Sequence, residues 1–300
     1  MQTEFESVNC LICGGEDHQR ISDKGAHGFP VHVVICRKCG LVFLNPRWSA
    51  ERYRKFYETE YDQFYRGESG GEETVFQIVE RLKAGNFLPV NPGKILDIGS
   101  GKGASLTYLK NHHYPEAQYF AIEPSVICQE VLKQNGIELV ADQIEKNWED
   151  GYQEEFDFVI MRHVLEHFMD PILVLKKVKS VLKHNGLLYI AVPNALNPSA
   201  PLSNHFRNVH TFYFNKWTIS NALRLAGLET SVILEGDHFQ KHELVCFVVK
   251  NDSEPAAINI SQNQVDTQLN VYLDILSAEN SLPSIIKRKL KKILFLHKNR

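Results

Sequence analysis

Lys94-Ile-Leu-Asp97-Ile-Gly99-Ser-Gly101-Lys-Gly103-Ala104 is the stretch on which the reading of this 300-residue chain turns. Residues 94–98 have the apolar character of a buried strand. The glycines after them let the backbone turn sharply and approach a ligand before a helix begins at Ala104. By glycine spacing alone, Gly99, Gly101 and Ala104 also satisfy a dinucleotide-binding pattern. Asp97 separates the two readings, because a carboxylate beside the loop repels a pyrophosphate and attracts a cation. Glu123 lies 20 residues past Gly103 and ends the next strand, where it could hold a ribose diol in either case. The loop is therefore expected to receive a positively charged, phosphate-free nucleoside.

Around the loop, strand and helix patterns alternate. Residues 119–122, 137–140, 156–161 and 187–192 read as strands. Residues 104–112, 125–135 and 171–183 read as helices, the last stopped by Asn185-Gly186. Such alternation predicts a parallel sheet covered by helices, a doubly wound Rossmann-like α/β fold. Residues 215–226 read as a further helix, and 229–234 and 244–250 as a late pair of strands. Residues 49–65 form a tyrosine-rich helical pattern with Ser49 as N-cap, and residues 72–87 another across a Gly-rich break. The expected division is 1–47, a ribbon; 48–90, a helical linker or cover; 91–250, the nucleoside-binding domain; and 251–300, a polar linker followed by a basic helix.

The ribbon rests on four of the six cysteines, Cys10-x-x-Cys13 and Cys36-x-x-Cys39, with 22 residues between the pairs. Two-residue spacing lets both thiolates of a knuckle reach one tetrahedral ion, so two knuckles complete a closed, structural zinc shell. Cys128 and Cys246 fall in apolar settings and are expected to be inert core residues. His18, His27 and His32 lie in the same segment, but four cysteines already suffice. Reduced thiolates, and an acidic Met1-Gln-Thr-Glu-Phe-Glu6 start without an apolar core, lead to the expectation of a reducing cytoplasm.

Composition bounds the partners. The chain is 43% hydrophobic and 23% charged, ordinary for a globular protein with a full core, and has no apolar run of membrane-spanning length. The formal charge of −3 is uneven. Lys287, Arg288, Lys289, Lys291, Lys292, Lys298 and Arg300 crowd the C-terminus, leaving 26 basic against 36 acidic residues elsewhere. A body that acidic argues against a nucleic-acid partner. Leu282, Ile285, Ile286, Leu290, Ile293 and Leu294 recur at helical spacing beside those cations. The pattern suits peripheral contact with an anionic membrane at its inner face, a partner helix or a solvated end.

Asp97-x-Gly-x-Gly-x-Gly103 with Glu123, followed by Phe156-Asp-Phe-Val-Ile-Met-Arg-His-Val-Leu-Glu-His167, resembles class I S-adenosylmethionine (SAM)-dependent methyltransferases. SAM carries an ammonium, a sulfonium and no phosphate, as Asp97 requires. Cys36-Arg-Lys-Cys39-Gly-Leu-Val-Phe-Leu-Asn-Pro-Arg47, ahead of the tyrosine-rich helix, resembles a bacterial subgroup with an N-terminal zinc ribbon. That subgroup is often associated with cell-surface glycan or nucleotide-sugar modification. The resemblance covers residues 8–250. It implies that Asp97, Gly99, Ser100 and Gly101 line the methionine end, that Glu123 grips the ribose, and that Asp142 and Gln143 lie near the adenine. It further implies O-methylation of a sugar, nucleotide sugar or lipid-linked glycan in surface polysaccharide synthesis. Methylation of ribosomal or transfer RNA, and a membrane-tethered SAM-binding scaffold without catalysis, are the alternatives.

Methyl transfer is an in-line displacement that needs a proton acceptor for the nucleophile, and histidine suits that role. His163, Glu166 and His167 follow the fourth strand, at the edge where such sheets bind ligands. If that turn is helical, the three share one face. They then supply a general base, or ligands for a divalent cation that orients a substrate hydroxyl. Their spacing resembles the Glu-x-x-Glu-His site of some metal-assisted methyltransferases, with His163 where those have Glu. After the fifth strand, Asn204-His-Phe-Arg-Asn-Val-His210 offers His210 as a further catalytic candidate, with His205 and Arg207 as second choices.

Overall fold

The computed structural model describes residues 4–65, 72–235, 242–250 and 254–281. The chain begins with β1 (Phe5–Glu6), β2 (His18–Lys24), β3 (Pro30–Cys36), β4 (Val42–Leu44) and β5 (Arg47–Trp48). Strands β2, β3 and β4 form an antiparallel meander. Helices α1 (Ala50–Thr59), α2 (Tyr61–Phe64) and α3 (Glu72–Ala84) follow. The Ser49 side chain accepts the Arg52 N–H and so starts α1, as the sequence predicts.

Next come β6 (Lys94–Ile98), α4 (Ala104–His112), β7 (Gln118–Ile122), α5 (Val126–Gln134), β8 (Glu138–Ala141) and β9 (Phe156–Arg162). They lead into α6 (Pro171–Val181), β10 (Leu182–Pro193), α7 (Leu202–His205), β11 (Phe212–Tyr213) and α8 (Lys216–Leu225). Strands β12 (Val232–Glu235) and β13 (Glu243–Val249) and helix α9 (Gln262–Asn280) end the described chain.

The central sheet has seven strands in the order β12-β13-β10-β9-β6-β7-β8. Strands β10, β9, β6, β7 and β8 are parallel. From β6 the chain winds one way through β7 and β8, then returns to build β9 and β10 on the other side. The carboxyl ends of β6 and β9 thus flank the switch point where ligands of such sheets bind. Leu96, Ile98, Val159, Met161, Leu188 and Ile190 join one core with α6 and α8, while Ile95, Phe158, Ile160 and Tyr189 join another with α3 and α4. Near-continuous apolar strands are what a sheet covered on both faces demands. By the same alternation, Asp97 is a carboxylate in a row of buried aliphatics.

The structure amends several sequence expectations. The sheet is mixed, because β13 runs antiparallel to both β10 and β12. Helix α6 stops at Val181 and β10 starts at once, so Asn185-Gly186 interrupts a strand instead of ending a helix. Helix α9 occupies much of what reads as polar linker and tail. It buries Val265, Gln268 and Tyr272 and packs Leu269, Ile275 and Leu276 against the ribbon's core. The ribbon's sheet also takes a fourth strand, β11, through Phe212↔Phe43 and Tyr213↔Val42. Cys10, Cys36, Leu41 and Phe43 share a core with Phe212, Phe214 and the sheet, so the boundary at 47 divides the chain and not the packing. The basic C-terminal pattern of Leu282 to Leu294 lies outside the described residues. Among the described residues no helix is long and apolar enough to cross a membrane.

Candidate active site

The cofactor end is built almost wholly from the turn after β6. The Gly99 N–H donates to the Ile122 carbonyl at 2.8 Å, tying the turn to β7. Gly103 has φ +75°, and a Cβ there would stand 2.6 Å from Leu132 Cδ2 and 2.9 Å from Ile137 Cδ1, so only glycine lets α4 start so close to α5. Gly101, at φ +55°, has no atom within 4 Å of where a Cβ would be: its open side faces space a ligand can enter. Asp97 is 4% exposed. Burial, reinforced by the Glu123 charge and opposed by Arg162, pushes its carboxyl up to about 8. Glu123 Oε2 accepts the Gly101 N–H at 2.8 Å and Oε1 the Ser125 N–H at 2.9 Å. Ser100 Oγ is buried without a hydrogen-bond partner among the described residues.

These groups are compatible with SAM: an ammonium would supply the cation that the buried Asp97 carboxyl lacks. Asp142 and Gln143 follow β8, and the Glu123 N–H reaches the Ala141 carbonyl at 3.3 Å, so the backbone is on the expected edge. The Asp142 carboxylate itself is held by Lys146 Nζ at 2.6 and 2.7 Å, and Gln143 is exposed.

The acceptor end collects residues from distant segments. His163, Glu166 and His167 do not share a helical face. His163 has φ +52° and stands outside a single 3-10 turn, Leu165–His167. A one-turn helix that starts after His163 cannot align it with the other two. Its Nε2 meets Glu243 Oε1 on β13 at 2.5 Å, and its Nδ1 lies 3.6 Å from Glu166 Oε1. Burial alone would lower its pKa, but the two carboxylates facing the ring, Glu166 and Glu243, prevail and raise it to about 9. Two facing carboxylates favour the protonated ring of His163, which works against its use as a general base.

His210 takes the place the sequence reading had given His163. Its ring lies 4.8 Å from that of His167, edge to face. Burial lowers His167 and puts His210 well below the ordinary histidine value, so both rings are neutral at pH 7. Glu166 is buried beside them, with neither carboxylate oxygen hydrogen-bonded among the described residues. The Thr211 N–H and Oγ1 both donate to the Glu166 carbonyl at 2.9 Å, fixing the two segments together. His205 is buried beside Phe206 and Tyr213, and burial lowers it to about 4. Arg207 lies over the Tyr65 ring.

Five residues here escape a reading of the sequence. Tyr57 on α1 places its hydroxyl 2.9 Å from His167 Nδ1. Tyr53 and Tyr65 bond the Asn208 carbonyl and side chain at 3.0 and 2.6 Å, so the tyrosine-rich segment covers the His210 loop. Arg162 and Glu243 join at 3.1 Å beside His163. The run of tyrosines was the one signal available; nothing marked Glu243 apart from its place heading an apolar strand.

The four ribbon cysteines converge as well. Cys10 and Cys39 sulfurs lie 3.3 Å apart, and those of Cys13 and Cys36 3.4 Å apart, all four as free thiols. His18 bonds the Gly15 carbonyl at 2.9 Å and Asn45 at 3.1 Å, and His32 bonds Asp23, so neither competes for that centre. Cys128 and Cys246 are buried.

A family model described as a methyltransferase domain matches residues 70–231, more than half of the chain. A search of curated proteins gives no match. Among solved structures, 1,6-didemethyltoxoflavin-N1-methyltransferase of Burkholderia thailandensis, with S-adenosylhomocysteine bound, aligns with a TM-score of 0.52 at 16% identity, over 71% of this chain and 96% of that one. A protein provisionally named a methyltransferase, solved with the Haloferax volcanii Trm112 activator, gives 0.52 at 16% identity, over 65% and 97%. A Nostoc punctiforme protein provisionally named an O-methyltransferase gives 0.47 at 21% identity over 59% of this chain, which spans 57% of that relative. At such identities the likeness is one of fold. Because the family model runs through the cofactor turn, the acceptor turn and the sheet between them, the chain belongs to the methyltransferase-domain family and is a class I SAM-dependent methyltransferase.

Proposed function

We propose that this methyltransferase acts on a hydroxyl of a sugar, nucleotide sugar or lipid-linked glycan in surface polysaccharide synthesis. One observation carries the reading. Glu166, His167 and His210 meet in a buried polar cluster beneath a tyrosine-rich cover. Neutral imidazoles in that place can take a hydroxyl proton, or hold an ion that acidifies it. SAM supplies the electrophilic methyl group. Asp97 holds its ammonium, Glu123 its ribose, and Gly101 and Ser100 admit its methionine end. The His163–Glu243–Arg162 network fixes the turn that carries Glu166. The acidic body also disfavours RNA as acceptor.

The four cysteines are proposed to bind a structural zinc ion. Four thiolates fill its tetrahedral shell and leave no open position for chemistry. The ribbon's part in the reaction is then mechanical, through the β4–β11 pairing that follows His210. The segment divisions 1–47, 48–90, 91–250 and 251–300 are proposed on the same basis, with α9 as the docked part of the last.

The test is transfer of labelled methyl from SAM to nucleotide sugars, polysaccharide fractions and RNA. A labelled sugar ether, formed with little dependence on salt, is the expected product. Label only in RNA, with a steep salt dependence, would overturn the acceptor class.

A further inference from the structure

We infer that Glu166, His167 and His210 form a binding site for a first-row divalent cation at the acceptor end, with positions left open for substrate oxygen. One ligand atom from each residue lies within 4.8 Å of the others. Bonds of about 2.1 Å from ring nitrogen and carboxylate oxygen set ligand separations of about 3–4 Å. Small side-chain rotations close the difference.

Two independent observations point to a missing occupant. Glu166 is 1% exposed, and both its oxygens lack a hydrogen-bond donor among the described residues. His210 is 9% exposed, and its Nδ1 lacks a partner in the same way. A buried carboxylate left without donors is costly, so such groups pair or coordinate metals. The nearest cation, His163, is 3.6 Å away and already bound to Glu243 at 2.5 Å.

The donor set defines the class of ion. Two imidazoles and one carboxylate favour ions of the manganese, iron and zinc kind over magnesium or calcium. Three protein ligands leave coordination positions free, as a reactive site requires. The Tyr57 hydroxyl engages His167 Nδ1, which leaves Nε2, 4.0 Å from Glu166 Oε1, for the ion. Thr211 fixes the backbone of Glu166 next to the His210 loop. Sequence spacing placed His163 in the set; only the fold exchanges it for His210.

The site's use, though not its existence, rests on the methyl-transfer reading. An acceptor oxygen in an open position is acidified, and its O–H bond breaks with the proton passing to water in the cleft. The oxygen's electron pair forms the C–O bond, and the methyl–sulfur bond breaks with its pair going to sulfur.

The experiment uses the full chain with its cysteine site saturated by zinc and titrates Mn2+ by electron paramagnetic resonance. One Mn2+ per chain is expected, with Glu166→Gln and His210→Ala each weakening uptake by about tenfold or more. SAM binding by calorimetry should stay within about twofold, reporting an intact cofactor end. No uptake by the native chain, or equal uptake by both folded variants, overturns the inference. Should a variant lose SAM binding, the native chain decides alone. Excess Co2+ must add weak nitrogen–oxygen ligand-field bands in the zinc-saturated protein, and their absence overturns the site. Sugar methylation that survives chelation without Mn2+ uptake sinks the ion and spares the acceptor class; Mn2+ uptake without sugar methylation does the reverse.

Discussion

The two ends of the active site are built in opposite ways. The cofactor end is local: Asp97, Ser100, Gly101 and Glu123 come from one strand–turn–helix and the strand beside it. It is shaped by backbone geometry and two buried carboxyls. The acceptor end draws Tyr57, Glu166, His167, His210 and Glu243 from α1, the turn after β9, the loop before β11, and β13. Its work is done by side chains that meet only when the ribbon, cover and sheet have packed. A local cradle should therefore survive insults to distant parts that dismantle the acceptor end.

The largest effect expected from that difference is on the ribbon. Cys36→Ser, or removal of the proposed zinc, should cut methyl transfer by about 100-fold or more, because the ion's binding is the ribbon's folding energy. SAM affinity, measured by calorimetry on the same sample, should change by less than about tenfold. Equal loss of both would show that the two ends are one cooperative unit. Asp97→Asn is the converse. It should weaken SAM binding by about 2–5 kcal/mol, the usual cost of truncating a buried charge pair. Mn2+ uptake at the acceptor end should be untouched, and electron paramagnetic resonance titration of Mn2+ checks it.

Gly103→Ala tests the frame that both ends share. Its Cβ would press on Leu132 and Ile137 from a left-handed backbone, so a loss of about 2–4 kcal/mol is expected by denaturant titration. Wild-type stability would sink the packing argument for that glycine.

The pH dependence sharpens the cofactor end further. Burial raises the Asp97 carboxyl to about 8, and the proposed ammonium contact needs the carboxylate. SAM binding must therefore release a proton, and affinity should rise about tenfold per pH unit up to about 8 and then level off. Calorimetry in buffers of different ionisation enthalpy reads both the slope and the proton. A flat profile between pH 6 and 8 would mean that Asp97 is ionised before SAM arrives. The smallest effect belongs to Tyr57→Phe. Loss of one hydroxyl from His167 Nδ1 should lower kcat by about three- to tenfold, near 1 kcal/mol, with the KM for SAM unchanged.

Particular residues show where reading the sequence succeeds. The turn after β6 and the capped start of α1 depend on neighbours within a few positions, and their bounds follow from local pattern. His163 shows the failure. Its spacing to Glu166 and His167 promised a shared face, but a single 3-10 turn and a left-handed φ of 52° aim it at Glu243, 80 residues away. Asp142 shows a milder one: its edge was legible, its lysine partner was not.

The order of residues alone determined the α/β frame and the glycine turn with its buried carboxyl, because apolar periodicity and glycine act over short stretches. Tertiary structure alone decided that His210 stands beside Glu166 and His167, that Tyr57 covers them, and that the ribbon borrows β11. Such meetings depend on how layers stack across scores of residues, and no local preference encodes that stacking.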